Sequence, residues 1–183
     1  MASIDHYFFF TLYNLAGHGK IGDFLIVFFG EYFIFVSLLV FVYFIFKNWR
    51  KGDFSNIYLS ILAIVAALIG RFGVVSFIRF FYHRPRPFLE LNIPHLISNG
   101  SYSFPSGHTI FLFALATVIY FFNKKLAYFL YASGAIVGLA RVVGGAHWPS
   151  DIFGGAIFGA LVGLVVYKIG QKYLTRKPGQ FNS

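Results

Sequence analysis

The chain has 183 residues, 58% of them hydrophobic and 11% charged, with 15 bases against 6 acids for a formal charge of +9. A soluble domain carries about a quarter charged residues, so this composition and its positive mean hydropathy exclude an ordinary soluble protein and point to the membrane class. The length suits a single integral membrane domain over residues 1–183, and the lack of cysteine excludes disulfides, thiolate chemistry and cysteine-bound metal.

Residues 1–5 carry no basic segment and no small-residue cleavage site follows, so a cleaved signal is not expected. Residues 7–16 (YFFFTLYNLA) fall short of the about 20 apolar residues that a crossing needs, and an interfacial helix is expected there. Five later segments are candidate spans: residues 21–46, 57–82, 106–122, 126–143 and 149–167, the third and fifth being short. Alternation over ten residues is absent, which implies helices rather than barrel strands. The expected fold is an all-α polytopic membrane bundle of five to six helices, counting the interfacial one.

Five crossings put the loop after the first span, the loop after the third and the C-terminal tail on one side. That side holds Lys47, Arg50, Lys51, Lys124, Lys125, Lys168, Lys172, Arg176 and Lys177, nine of the 15 bases. Bases flanking spans mark the cytoplasmic face, so the loops after the second and fourth spans are expected to face outward. Most of the net charge reads as membrane anchoring rather than nucleic-acid binding.

Those two outward loops hold most of the unusual polar residues: Arg79, His83-Arg84-Pro85-Arg86-Pro87 and Pro105-Ser106-Gly107-His108 in one, Arg141, His147, Trp148, Pro149, Ser150 and Asp151 in the other. The hairpin of spans three and four returns both to one membrane face. Converging arginines repel one another unless an anion joins them, and guanidinium forks match phosphate oxygens. Ser106 is a candidate N-cap, and the free amides behind it with Gly107 form an anion pocket. Pro149 suits the first turn of the last span. His147 just before it, with Asp151 one turn on, lets a carboxylate hold one ring nitrogen while the other keeps a nucleophilic lone pair. His108 supplies a second imidazole for proton transfer near neutral pH.

Arg79-x6-Arg86-Pro87, Pro105-Ser106-Gly107-His108 and Arg141-x5-His147-x3-Asp151 together resemble the three-part signature of the type 2 phosphatidic acid phosphatase superfamily. The resemblance implies that His147 attacks phosphorus and becomes phosphohistidine, with Asp151 orienting it. His108 is implied to protonate the leaving group and then activate water. Arg79, Arg86 and Arg141 are implied to hold the phosphoryl oxygens, with Ser106 and the Gly107 amide. Two departures stand out: Arg79 where most members have lysine, and Ala140 where they have serine. No cofactor is implied. Metal binding finds no HExxH pattern or carboxylate cluster, and arginines surround the histidines.

Blander readings stand beside these. Ser106 serves equally as a plain helix cap, and Arg84 as a generic basic flank or a substrate contact. His6, His83 and His95 read as interfacial, and Trp148 as membrane belt or packing. Glu31 and Arg71 lie roughly 15 Å deep at helical rise, where ionised groups are usually paired, and a Glu31–Arg71 pair beneath the site is expected, with contact to a second phosphate as the functional alternative. The implied partner is a lipid phosphate in a bacterial-type plasma membrane. The His83–Phe88 run resembles short bacterial undecaprenyl-diphosphatases, which favours undecaprenyl diphosphate over phosphatidylglycerophosphate, phosphatidate or lipid A phosphates. Residues 88–104 are expected to form the lipid entrance. A small anion transporter or channel is the rival of another class; a non-enzymatic scaffold leaves these residues without purpose.

Overall fold

The structure, a computed structural model, describes residues 2–98, 100 and 102–174. Arg176 and Lys177 of the expected cytoplasmic tail lie outside the described residues. Helices follow in the order α1 (Ala2–Tyr13), α2 (Lys20–Arg50), α3 (Phe54–Phe81), the single turn α4 (Pro87–Glu90), α5 (Gly107–Tyr120), α6 (Lys124–Val143) and α7 (Pro149–Leu174). All five expected spans are helical. Four of them, α2, α3, α6 and α7, are long and apolar enough to cross a bilayer. Their outer surfaces carry exposed Phe24, Phe35, Phe72, Phe77, Phe153 and Leu161, the pattern of an all-α bundle whose solvent is lipid.

The fifth, α5, has 14 residues, about 21 Å at helical rise, short of a roughly 30 Å hydrocarbon core. Its apolar residues encircle the helix, and Ile110, Leu112, Leu115, Val118 and Ile119 are fully buried. A helix apolar all round belongs in a core, and α5 is the central post, wrapped by α7, α6 and α3. Glycines let α7 approach it. A Cβ on Gly155, Gly159 or Gly163 would stand 2.9, 2.6 and 2.7 Å from the carbonyl oxygens of Ser106, Ile110 and Ala114. This seam at four-residue spacing is the small-residue packing that membrane helices favour.

Two of the long helices carry π-helical turns, Phe28–Tyr32 in α2 and Ile69–Val74 in α3. Such turns widen the helix and free a backbone carbonyl from the regular ladder. They contain Glu31 and Arg71, the two charges expected deep in the bundle. At the opposite end Asp53 accepts from the Asn56 amide at 3.1 Å and Asn123 from the Leu126 amide at 3.0 Å, capping α3 and α6. Outside the bundle, α1 lies over the polar loops. Phe9 is fully buried against Trp148, with ring centroids 5.0 Å apart, while Tyr7 and Phe8 remain exposed, which suits the interfacial position expected for it.

Candidate active site

Three stretches distant in sequence are stitched together by backbone hydrogen bonds. The Ser103 amide donates to the Arg84 carbonyl at 2.9 Å, joining the loop after α3 to the approach of α5. The Ser106 amide donates to the Asp151 carbonyl at 3.1 Å, joining α5 to α7. These contacts bring all eight expected site residues to one end of α5.

His147 and Asp151 sit in the i, i+4 relation across the start of α7. The ring Nδ1 lies 3.2 Å from Asp151 Oδ2, which also accepts the Trp148 amide at 2.8 Å. The carboxylate is completely buried, so it holds the ring in one orientation with Nδ1–H donating. On the other side, Arg86 Nη1 lies 3.2 Å from His147 Nε2; a guanidinium can only donate, so Nε2 presents its lone pair there. Burial, and then the charges of Arg86, Arg141 and Arg79, hold the imidazole well below its usual pKa. The ring is therefore neutral, with an unprotonated Nε2 of the kind a nitrogen nucleophile needs.

Arg86 is itself almost fully buried. Its Nη1 also donates to the Ala146 carbonyl at 2.7 Å and its Nε to the Gly100 carbonyl. Burial, then the neighbouring Arg79 and Arg141, bring its pKa down to about 10, so it stays charged at neutral pH. Arg141 is 1% exposed. Its Nη1 donates to the Gly30 carbonyl at 2.8 Å and to Glu31 Oε1 at 3.1 Å, while its buried Nε has no hydrogen-bond partner among the described residues. A buried guanidinium N–H left open in this cluster is a place for an anion oxygen. Arg79 reaches back to the carbonyls of Ser103, Phe104 and Pro105 at 3.1–3.4 Å and so braces the loop that enters α5.

Ser106 occupies the N-cap position of α5 but makes no cap hydrogen bond; its hydroxyl instead accepts from Thr109 at 3.1 Å. The expected side-chain cap is therefore absent, because the hydroxyl is turned along the helix toward Thr109. The first amides of α5 are left to another acceptor. His108 follows in the first turn, with Arg141, Arg71, His147 and Arg86 as its charged or titratable neighbours.

Two sequence expectations change. Glu31 is engaged by Arg141, and the Arg71 side chain lies against Gly107, its Nη1 and Cζ 2.8 and 2.9 Å from where a Cβ would stand. Depth along two helices suggested a Glu31–Arg71 pair; the ion pair seen on Glu31 is with Arg141. Arg84 is neither a loose flank nor part of the arginine bowl. It stands behind the His147–Asp151 pair, donating to Asp151 Oδ1 at 2.9 Å and lying over the Trp148 ring at 5.2 Å. Trp148 itself is fully buried packing, with its indole N–H on the Pro85 carbonyl at 3.1 Å.

Beside the site opens a cavity of about 1200 Å³, lined by Ile4, Phe8, Tyr82, Phe104 and Phe153 with Arg84 at its polar edge. Of the described residues of the expected entrance loop, Glu90 and Phe104 line it; α1 supplies Ile4, Asp5, His6 and Phe8. Sequence reasoning missed Asp5, whose one signal was an acid within an otherwise apolar helix. Among the described residues no group of three His, Asp or Glu side chains is arranged to hold a metal ion.

A family model described as the PAP2 superfamily matches residues 57–174. The chain is 26% identical over 170 residues to undecaprenyl-diphosphatase BcrC of Bacillus subtilis, covering 90% of this chain and 83% of that protein. It is 30% identical over 142 residues to the bacitracin transport permease protein BcrC of Bacillus licheniformis, covering 78% and 68%. The crystal structure of Aquifex aeolicus LpxE superimposes with a TM-score of 0.67 at 27% identity, covering 90% of this chain and 95% of that one.

Proposed function

This chain belongs to the PAP2 superfamily of membrane phosphatases, and from that premise we propose that it hydrolyses the terminal phosphate of undecaprenyl diphosphate, through a phosphohistidine on His147 and without a metal. The observation that carries the reading is the His147 imidazole, with Nδ1 on Asp151 and a lone pair on Nε2 aimed into a bowl of guanidiniums.

In this reading the terminal phosphoryl group enters the bowl and takes the donors of Arg86, the open Nε of Arg141, Arg79 and the first amides of α5. Arg86 turns from the Nε2 lone pair to a phosphoryl oxygen, which uncovers the nucleophile. Nε2 attacks phosphorus; an N–P bond forms as the P–O bond to the leaving lipid phosphate breaks. His108, protonated once the anionic phosphoryl group offsets the guanidinium charge around it, gives its proton to the leaving oxygen. The neutral His108 then takes a proton from water, the hydroxide forms a new P–O bond, and the N–P bond breaks to restore His147 and release phosphate. Charge that spreads over the phosphoryl oxygens in the transition state meets fixed, largely dehydrated donors. Divalent metal has no role in these steps, because the guanidiniums occupy the electrostatic place a cation would take.

Diphosphate as substrate is supported by the relative named undecaprenyl-diphosphatase, matched over most of both chains. The apolar cavity at the edge of the site gives a long isoprenoid chain a way in from the bilayer. Most of the exposed bases gather at the far end of the bundle, Lys20 apart, which supports a site facing outward in a plasma membrane. A transport reading draws on the name of the second relative, and it predicts movement of an anion with no phosphate released.

The test is phosphate release by detergent-purified protein in excess chelator, from undecaprenyl diphosphate, phosphatidylglycerophosphate and phosphatidate, beside His147→Ala. We expect release preferring the diphosphate and a loss of about 10³-fold or more in the variant. An equally active His147→Ala removes the phosphohistidine route, and no release from any lipid brings transport forward.

A further inference from the structure

Every residue given a chemical role above lies between Arg79 and Asp151. Asp5, on the interfacial helix α1, reaches into the same network from the other end of the sequence. Its Oδ1 accepts the Ser150 amide at 3.0 Å, capping the start of α7 from a different helix, and its Oδ2 accepts the Ser150 hydroxyl and Arg84 Nη2, each at 2.5 Å. Arg84 passes the contact on: Nη1 donates to Ser150 Oγ at 2.6 Å and to Asp151 Oδ1 at 2.9 Å. Asp151 Oδ2 in turn holds His147 Nδ1. The path Asp5–Arg84–Asp151–His147 is therefore continuous, and it approaches the nucleophile from the face opposite its lone pair.

We propose that Asp5 is a positioning residue of the site: by holding Arg84 against Asp151 it fixes the His147 ring, so that a docked α1 is part of the active form. The proposal rests on the reading of His147 as the nucleophile.

Three physical points support it. Arg84 is a long side chain that loses much rotamer freedom when fixed, and its fork is held at both ends only because two carboxylates flank it. It also borders the cavity through which an anionic lipid would arrive. With Asp5 neutral, the incoming phosphate competes with Asp151 for the guanidinium, and the ring loses its orienting partner. Finally, Asp5 stays ionised where this matters: burial opposes its charge, but the hydrogen bonds from Ser150 and Arg84 outweigh that and hold the carboxyl below its usual range. The rest of α1 is built to deliver it, with His6 stacked on Trp148 at 4.6 Å and Phe9 packed beneath.

The experiment compares Asp5→Asn, Arg84→Gln and the double variant, using whichever lipid phosphate the wild type hydrolyses. Asp5→Asn is expected to lower kcat about 10- to 100-fold, the order lost when a partner that orients a reacting histidine is removed, with KM within about twofold. The double variant should match Arg84→Gln alone, since both break one path. A kcat within twofold of wild type for Asp5→Asn, or losses that multiply in the double variant, overturns the proposal. Should Asp5→Asn not fold, Arg84→Lys keeps the charge but cannot bridge both carboxylates; loss of kcat supports the proposal and full kcat overturns it. A wild type that hydrolyses no lipid phosphate overturns the functional reading instead. The His147 Nδ1–H resonance in 15N-histidine-labelled protein then decides: a shift in Asp5→Asn supports the positioning path, and an unmoved resonance overturns it.

Discussion

The two ends of the bundle use positive charge in opposite ways. At one end, Lys47, Arg50, Lys51, Lys124, Lys125 and Lys168 are all exposed, and the polar contacts nearby are mostly local ones such as the caps of Asp53 and Asn123, with Tyr58 on the Gly170 carbonyl reaching across helices. Packing at that end is aromatic, with Phe121 stacked on Tyr167 at 3.8 Å. At the other end, Lys20 at the start of α2 apart, the bases are arginines. Arg86 and Arg141 are buried, Arg79 and Arg84 partly so, and each is tied to backbone carbonyls or carboxylates across long stretches of sequence. A hydrated ammonium serves where charge need only stay in water and mark a membrane face. A planar fork with five donors serves where charge must be held in place with little water. Equal formal charge thus separates into anchoring at one end and chemistry at the other.

The strongest way to break this contrast is at Arg141. Arg141→Lys keeps the charge but cannot reach Gly30, Glu31 and a phosphate oxygen together, so kcat/KM should fall about 10²-fold, the cost of one preorganised donor at a site of developing charge. A loss below about threefold would mean that charge alone, not the fork, matters there.

Acidity sharpens the contrast next. The folded pKa of His147 lies below its unfolded value near 6.5 because burial and then Arg86 disfavour the imidazolium. Activity that needs the neutral ring should therefore persist below pH 6.5, and Arg86→Gln should move the acid limb of kcat/KM upward. The same shift has a stability consequence. As pH falls through 6.5 the unfolded chain takes up a proton that the folded site refuses, so stability from this group is full above pH 6.5 and declines below it. A pH–rate profile on a soluble short-chain substrate and a pH series of thermal unfolding check the two signs.

At the far end, Lys124→Gln with Lys125→Gln should leave kcat/KM within about twofold, since exposed charges contribute little to local energetics. Their effect should appear in topology, as a larger fraction of chains inserted the wrong way round, read by cysteine labelling from each side. A tenfold loss of catalysis there would dissolve the division of labour between the ends.

Much of this was legible in the sequence because it depends on local spacing. Apolar run length placed the long helices, since burying backbone polar groups in lipid demands helix wherever such runs occur, and it marked α5 as a helix without showing that it is the buried post. The i, i+4 step from His147 to Asp151 put ring and carboxylate on one helical face, and the motif order brought both loops to one end through a hairpin. What only the tertiary structure decided is which long side chain meets which partner. Arg141 finds Glu31 because a π-helical turn in α2 offers the adjacent Gly30 carbonyl as well. Arg71 lies on Gly107, Ser106 bonds Thr109 rather than capping its helix, and Asp5 clasps Arg84 from an interfacial helix. An arginine reaches several neighbours from one Cα, and periodicity says nothing of how two helices cross; the choice falls to crossing geometry and to acceptors freed by irregular turns, which become visible only when distant segments are packed together.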